Sequence, residues 1–536
     1  MSLDDENIAA VEREIDQQHL SNPLLQCSFA EAAWQLLSVS EQFLRIQRSP
    51  GRRLEEDRAI SSRFLNFLNH GLRWLGDECA PGGKPRRQFD DRLSQAAQDM
   101  IQLAIQYDVF FDVFTAWRRH IISLRVEDNR LIPGHERSEE YRCQCYNHLA
   151  SAGAEDASLN LQALAEVQTS ITPDGESFRV VVSPRIIEGV MQALKPIVEN
   201  QFTLPPHWRF SRYSLQDFKL VHSAVRAIAT LQHWAARALD EEDQGFRAFL
   251  GTVYLSGNTD LYRRVARYTG LETQTVSEIL HDLTYGSQGM RRPDPALQPL
   301  IMLNEHTCAI SPNLWIATAP ERNLGVLLNR IPSEAAIYST LTNDKEGLMR
   351  FEIAEAIRRT GRYRTASGAV PGRPDLPDID LAIIDDRAKA CLLIELKWFI
   401  HPDEIREQEY RQEEIAKGMR QATALRAVFR SGCPDLLQML GISGEYEGFA
   451  CVSSANWIGD SSAATSDVPV INSAHLISRI ISSLSLPEVF TWLEKREYLP
   501  VEGRDFTVQP IQATVGKWHV EWYALQTLSG PEFLRR

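Results

Sequence analysis

Two carboxylates and an amine lie close together in an otherwise apolar stretch of this chain. Over 378–399, DIDLAIIDDRAKACLLIELKWF, Asp380 is followed 15 residues later by Glu395, and Lys397 comes two residues after that. Charges among aliphatic neighbours are costly unless they are paired, solvated or bound to a metal. Paired carboxylates offer oxygen to a hard divalent cation such as Mg²⁺ or Mn²⁺, which takes few protein ligands and fills its shell with water and phosphate oxygens. A lysine beside them can orient an attacking water or neutralise charge developing on a phosphorane-like transition state. Together these groups meet the requirements of metal-assisted phosphodiester hydrolysis.

The elements that position the three residues can be read from the same stretch. Leu381 to Ile384 and Ala390 to Ile394 are short aliphatic runs separated by Asp385-Asp386-Arg387, which predicts a β-hairpin. Side chains alternate along a strand, so Glu395 and Lys397 point one way and Leu396 the other. A hairpin paired near its middle brings Asp380 to the same end. CLLIEL is apolar on both faces, which suits a buried strand. The bland alternative is an exposed Glu395/Lys397 pair on an edge strand, with Asp380 a turn residue after Pro377.

Asp380 with Glu395-Leu396-Lys397 resembles the bipartite signature of the PD-(D/E)XK nuclease superfamily, over roughly residues 340–455. GLMRFE, ending at Glu352, is similar to that superfamily's first core helix, and Glu414, Lys417 and Gln421 in EEIAKGMRQA to its flanking helix. The resemblance implies an endonuclease in which Asp380, Glu395, the Leu396 carbonyl and Glu352 hold Mg²⁺ or Mn²⁺. Glu355 competes with Glu352 for this place. Lys397 would orient the hydroxide or stabilise the leaving group, and Lys417 or Gln421 would position a phosphate. The implied substrate is DNA rather than RNA. No P-loop GxxxxGK[ST] occurs, so any NTP-driven step must come from a partner. In bacteria such an architecture is similar to that of restriction and anti-phage defence nucleases, in which an oligomer or a partner protein gates cleavage.

A length of 536 residues exceeds what one core usually supports. The expected fold is multidomain α+β: a largely helical stretch over 1–200, a helix-turn-helix-like stretch with short strands over 201–335, and a restriction-endonuclease-like α/β core with a mixed sheet and a terminal β-hairpin over 336–536. No apolar run is long enough for a membrane span, and the acidic N-terminus is unlike a secretory signal, so a cytoplasmic protein without a membrane partner is expected. Scattered cysteines suit a reducing compartment. Cys143-Gln-Cys145 with His148 resembles a zinc cluster but lacks a second ligand pair. Net charge is -14, whereas residues 351–430 balance at 14 Lys+Arg against 14 Asp+Glu. That block lacks the dense basic face of an autonomous DNA binder, so part of the grip must come from elsewhere.

In chain order, 1–130 repeats apolar residues at helical spacing, with the aromatic-rich segment 107–117 reading as core. LIPGHERSEEYR reads as a polar connector, NLQALAEVQ as a helix, SFRVVVS as a lone strand, and PRIIEGVMQALKPIVENQF as a helix with proline in its first turn. NQFTLPPHWRFSRYSL reads as a linker whose aromatic and basic residues dock on their own domain or stack on bases. Over 261–283, Ala266, Gly270, Val276 and Ile279 resemble a helix-turn-helix pattern. Thr273, Gln274 and Thr275 would open its recognition helix, with Arg263, Arg264 and Arg267 nearby for phosphates. The following strands read as a wing or as an extension of the next sheet. A rival to the enzyme is therefore a DNA-binding or scaffold protein that uses this segment and keeps the nuclease-like fold only for shape. GFACVSSANWIG reads as the last core strand, and Trp518, Trp522 and Tyr523 as the aromatic face of the terminal hairpin.

Overall fold

The computed structural model describes residues 3–47, 54–134, 138–151, 170–174, 177–241, 249–290, 292–399 and 405–535. The fold is mixed α+β, with four separate sheets among the described residues. The helix expected for NLQALAEVQ lies outside them. Two compact units are built from interleaved segments. The first takes 1–134, 155–338 and 511–522, and the second takes 135–154, 339–510 and 523–536.

In the first unit the helices Phe29–Gln47, Leu54–Glu78 and Asp91–Arg118 bury Trp34, Leu37, Leu68, Leu72, Met100 and Ala104 in one core. Strand residues Ile301 and Ala309 join that core. A second cluster joins the helix Leu3–Asp16 to Phe110 and Phe114, confirming the aromatic segment as core. The last of these helices stops at Arg118, and Ser123–Glu127 pairs antiparallel with Arg130–Gly134. The polar connector expected after residue 130 is therefore half of a hairpin. Its turn is Asp128-Asn129, both at positive φ (45° and 64°), the left-handed pair that two-residue hairpins require. Ser138–Ser151 beyond it is helical. SFRVVVS is not alone, since Ser177–Val180 pairs with Ile171–Asp174.

The segment 201–214 docks inside the first unit. Trp208, Phe210 and Tyr213 are buried, and Arg212 makes a two-pronged contact with the buried carboxylate of Asp282 at 3.0 and 2.7 Å.

The second unit is organised around a five-stranded mixed sheet. Its strand order is Val470–Asn472, Glu447–Ser454, Ala390–Lys397, Ile379–Asp385, Arg364–Gly368. The last three form an antiparallel meander, and Glu447–Ser454 runs parallel to Ala390–Lys397. A parallel neighbour needs a crossover, which the helix Ile405–Arg430 provides. This crossover helix covers the sheet face that carries Glu395, where Gly418 sits over Glu395 and Val452. The helix Leu486–Glu494 covers the opposite face, where Phe490 stacks on Phe449 at 5.2 Å. Burial on both faces explains the unbroken apolar runs Leu381–Ile384 and Ala390–Ile394 in the central strands. A lead helix, Pro332–Arg358, enters the unit at Ser339 and precedes the sheet.

A candidate active site at the end of the central hairpin

The hairpin register brings the charged residues together. Cys391 pairs with Ile384 and Ile394 with Leu381, so the next step sets Asp380 opposite Glu395 on one face. Like charges directly opposed on neighbouring strands are destabilising. At a separation of about 5 Å and an effective dielectric near 20, two full charges repel by about 3 kcal/mol. Asp380 is held by the Leu396 N–H, which donates to its Oδ2 at 2.8 Å. The Lys397 ammonium donates to Glu395 Oε1 at 2.8 Å, with the carboxylate 3% and the lysine 14% exposed. Glu395 Oε2 is buried and has no hydrogen-bond partner among the described residues.

Among the described residues the amine is bonded to Glu395 alone, and a shielded oxygen of that carboxylate is left unsatisfied. Burial, reinforced by the facing Asp380, raises the Glu395 carboxyl to about 7. Burial raises Asp380 as well, against the Leu396 N–H and Lys397. Burial also opposes the charge on Lys397, but Glu395, Glu346 and Asp380 outweigh it and hold the ammonium above its ordinary value.

The glutamate that the lead helix brings to this cluster is Glu346. Its Oε1 accepts from the Trp398 N–H at 3.4 Å, and its charge is felt by both Lys397 and Glu395. Burial raises its carboxyl. Glu352 is exposed, and Glu355 pairs with Arg358 at 2.6 Å. Met349, Ile353 and Ile357 form the buried stripe of this helix, and Glu346 extends it by one turn. Glu352 lies about 100° away from that stripe. Arg350, exposed one turn after Glu346, adds a favourable charge near Asp380.

From the crossover helix, Gly418 packs directly over the pair. A Cβ there would meet Lys397 Cε at 3.0 Å and Glu395 Cγ at 3.4 Å, so glycine lets the helix lie against the acidic pair. Gln421 is half-buried on the same helix, and its Oε1 has no hydrogen-bond partner among the described residues. Lys417 is exposed, and Glu414 is occupied by Arg411 at 3.0 Å. Leu396 directs its side chain away from the pair and its N–H to Asp380.

The donor set fits a hard divalent cation: two facing carboxylates, one with a free buried oxygen, and a third acid nearby. Among the described residues no three acidic, histidine or cysteine side chains close on a ready-made cage. A cation here would complete its shell with water or substrate oxygens, as Mg²⁺ does elsewhere. Cys143 and Cys145 are buried thiols and His148 is exposed, and among the described residues these three are not gathered into a metal-holding group. Burial pushes the Cys145 thiol up to about 12.

No family model, curated protein or solved structure matches this chain.

Proposed function

We propose that the second unit is a metal-dependent nuclease of the PD-(D/E)XK kind that hydrolyses phosphodiester bonds, in DNA rather than RNA. The observation that carries this reading is the Asp380/Glu395 pair, opposed across two antiparallel strands with Glu395 Oε2 shielded and unsatisfied. The surrounding elements support it: the hairpin follows a lead helix and is followed by a crossover helix that returns to a parallel strand.

In this reading Asp380 and Glu395 would hold Mg²⁺ or Mn²⁺, with Glu346 beside them directly or through water. A divalent cation held there would supply Lewis-acid polarisation of a phosphoryl oxygen and a lowered pKa for attacking water. The Leu396 N–H fixes the Asp380 carboxylate so that it presents its other oxygen. Lys397 is bonded to Glu395 and kept protonated by three acids, so it can donate to a phosphate oxygen or hold the attacking water in line. Gln421 can contribute an amide to a substrate oxygen. The neutral charge balance of 351–430 leaves much of the substrate grip to other surfaces, in keeping with a nuclease gated by assembly or by a partner in a defence role.

The test is incubation of purified protein with supercoiled plasmid and with single-stranded RNA, in Mg²⁺, Mn²⁺ or EDTA. Nicking of the plasmid in metal, abolished by EDTA and by Glu395→Gln or Lys397→Ala, is expected. Activity unchanged in both variants would instead favour a DNA-binding or scaffold protein that keeps the fold without the chemistry.

A further inference from the structure

A second cluster of nucleic-acid-type features lies wholly in the first unit. Asn258–Thr269 and Thr273–Asp282 are helices joined at Gly270, which closes the first with φ 72° and donates its N–H to the Ala266 carbonyl. Only a residue tolerating the left-handed region fits that corner. Leu261, Val265, Val276, Ile279 and Leu280 are buried, which fixes the rotation of both helices. The preceding strand Tyr254–Gly257 pairs with Thr307–Ile310, which in turn forms a hairpin with Leu300–Met302. The two helices are thus backed by a three-stranded sheet whose hairpin flanks the second helix in sequence, as a wing does.

The second helix presents Thr273 and Gln274 to solvent, short polar groups of the kind that read base edges. Arg263 and Arg267 are exposed one turn apart on the first helix. Glu272 precedes the second helix, Glu278 lies within it and accepts from Gln274 at 2.8 Å, so phosphate attraction must come from the flanks. A flank of this kind comes from a distant part of the chain. The wing residue Asn304 donates to the Gly83 carbonyl at 2.8 Å, which sets the exposed Lys84 and Arg86 beside the hairpin tip. Neither the wing nor this loop would by itself make a binding surface. Cations thus accompany both the helix before the polar one and the hairpin after it, an arrangement suited to a groove bounded by two phosphate strands.

We infer that this winged module docks on duplex DNA, with Thr273–Asp282 toward the groove and Arg263, Arg267, Lys84 and Arg86 on the phosphates. The inference does not depend on the nuclease reading, because the site shares no residue with the Asp380/Glu395 cluster.

The test is fluorescence anisotropy of the full-length chain with a short fluorescein-labelled duplex in EDTA. Removing one cation from a phosphate lowers the slope of log K against log salt by about 0.9, and removing a pair weakens binding roughly tenfold. Arg263→Ala/Arg267→Ala and Lys84→Ala/Arg86→Ala are each expected to weaken binding about tenfold and to flatten the slope by about 2. Gln274→Glu, which adds charge toward the groove, weakens it further. The control Arg185→Ala leaves binding at the wild-type level. Wild-type affinity in both double variants overturns the inference, as does equal competition by single-stranded DNA. Because anisotropy in EDTA reads binding alone, its outcome stays separate from cleavage at the Asp380/Glu395 cluster.

Discussion

Glu395→Gln is the most informative single change, because the account requires it to stabilise the metal-free chain while removing its chemistry. The ordinary carboxyl value of 4.5 is raised to about 7 by burial and by Asp380. Between these values the folded chain keeps a proton that the unfolded chain has already released. Stability from this group is therefore full below pH 4.5, falls as pH rises through the window, and is lost above pH 7. At 1.36 kcal/mol per unit, the metal-free wild type gives up about 3 kcal/mol at pH 8. Glutamine mimics the neutral acid and avoids that loss. At about 2–4 °C per kcal/mol for a unit of this size, Tm should rise by about 6–12 °C at pH 8 in EDTA, with little change at pH 4. Mg²⁺ at a hundredfold excess over its Kd should return about 2.7 kcal/mol to the wild type and nothing to the variant. The assay is thermal unfolding at pH 4 and 8, with Mg²⁺ or EDTA. A variant less stable than wild type at pH 8, or one retaining the full Mg²⁺ shift, would refute the reasoning.

Three further outcomes are expected. Glu346→Gln should lower metal affinity or cleavage roughly 10–100-fold, as loss of a supporting carboxylate does, while Glu352→Gln leaves kcat/KM unchanged. Gly418→Val puts branched carbon where even a Cβ stands 3.0 Å from Lys397 Cε, so plasmid nicking should fall at least tenfold while circular dichroism shows the fold retained. In the first unit, Asp282→Ala strips Arg212 of its two-pronged partner, and Tyr213 and Gln288 of an acceptor at 2.7 and 2.8 Å. The cost should be about 3–5 kcal/mol, read as a fall in denaturation midpoint.

Parts of this site are legible in the sequence because strand periodicity is local. The 378–399 hairpin and the shared face of Asp380, Glu395 and Lys397 follow from period-two alternation and one charged turn. The helix glutamate does not follow in this way. Three acids, Glu346, Glu352 and Glu355, sit on one long helix, and choosing among them needs the phase of its buried stripe. Met349, Ile353 and Ile357 carry that phase, at spacings of four, and Glu346 lies three residues ahead of the first. Gly418 reads as an ordinary helix residue because its value lies in what it lets approach, a tertiary property. The hairpin at 123–134 is hard to read because Asp128-Asn129 carries no glycine, although both residue types tolerate the left-handed region its turn needs.

The most direct measurement is anomalous diffraction from crystals grown with Mn²⁺. A peak is expected between the Asp380 and Glu395 carboxylates, about 2.1 Å from an oxygen of each, with Lys397 turned toward the substrate side. Crystals with Mn²⁺ bound elsewhere or not at all, and with Lys397 still paired to Glu395, would contradict the claim that a divalent cation holds these two acids together.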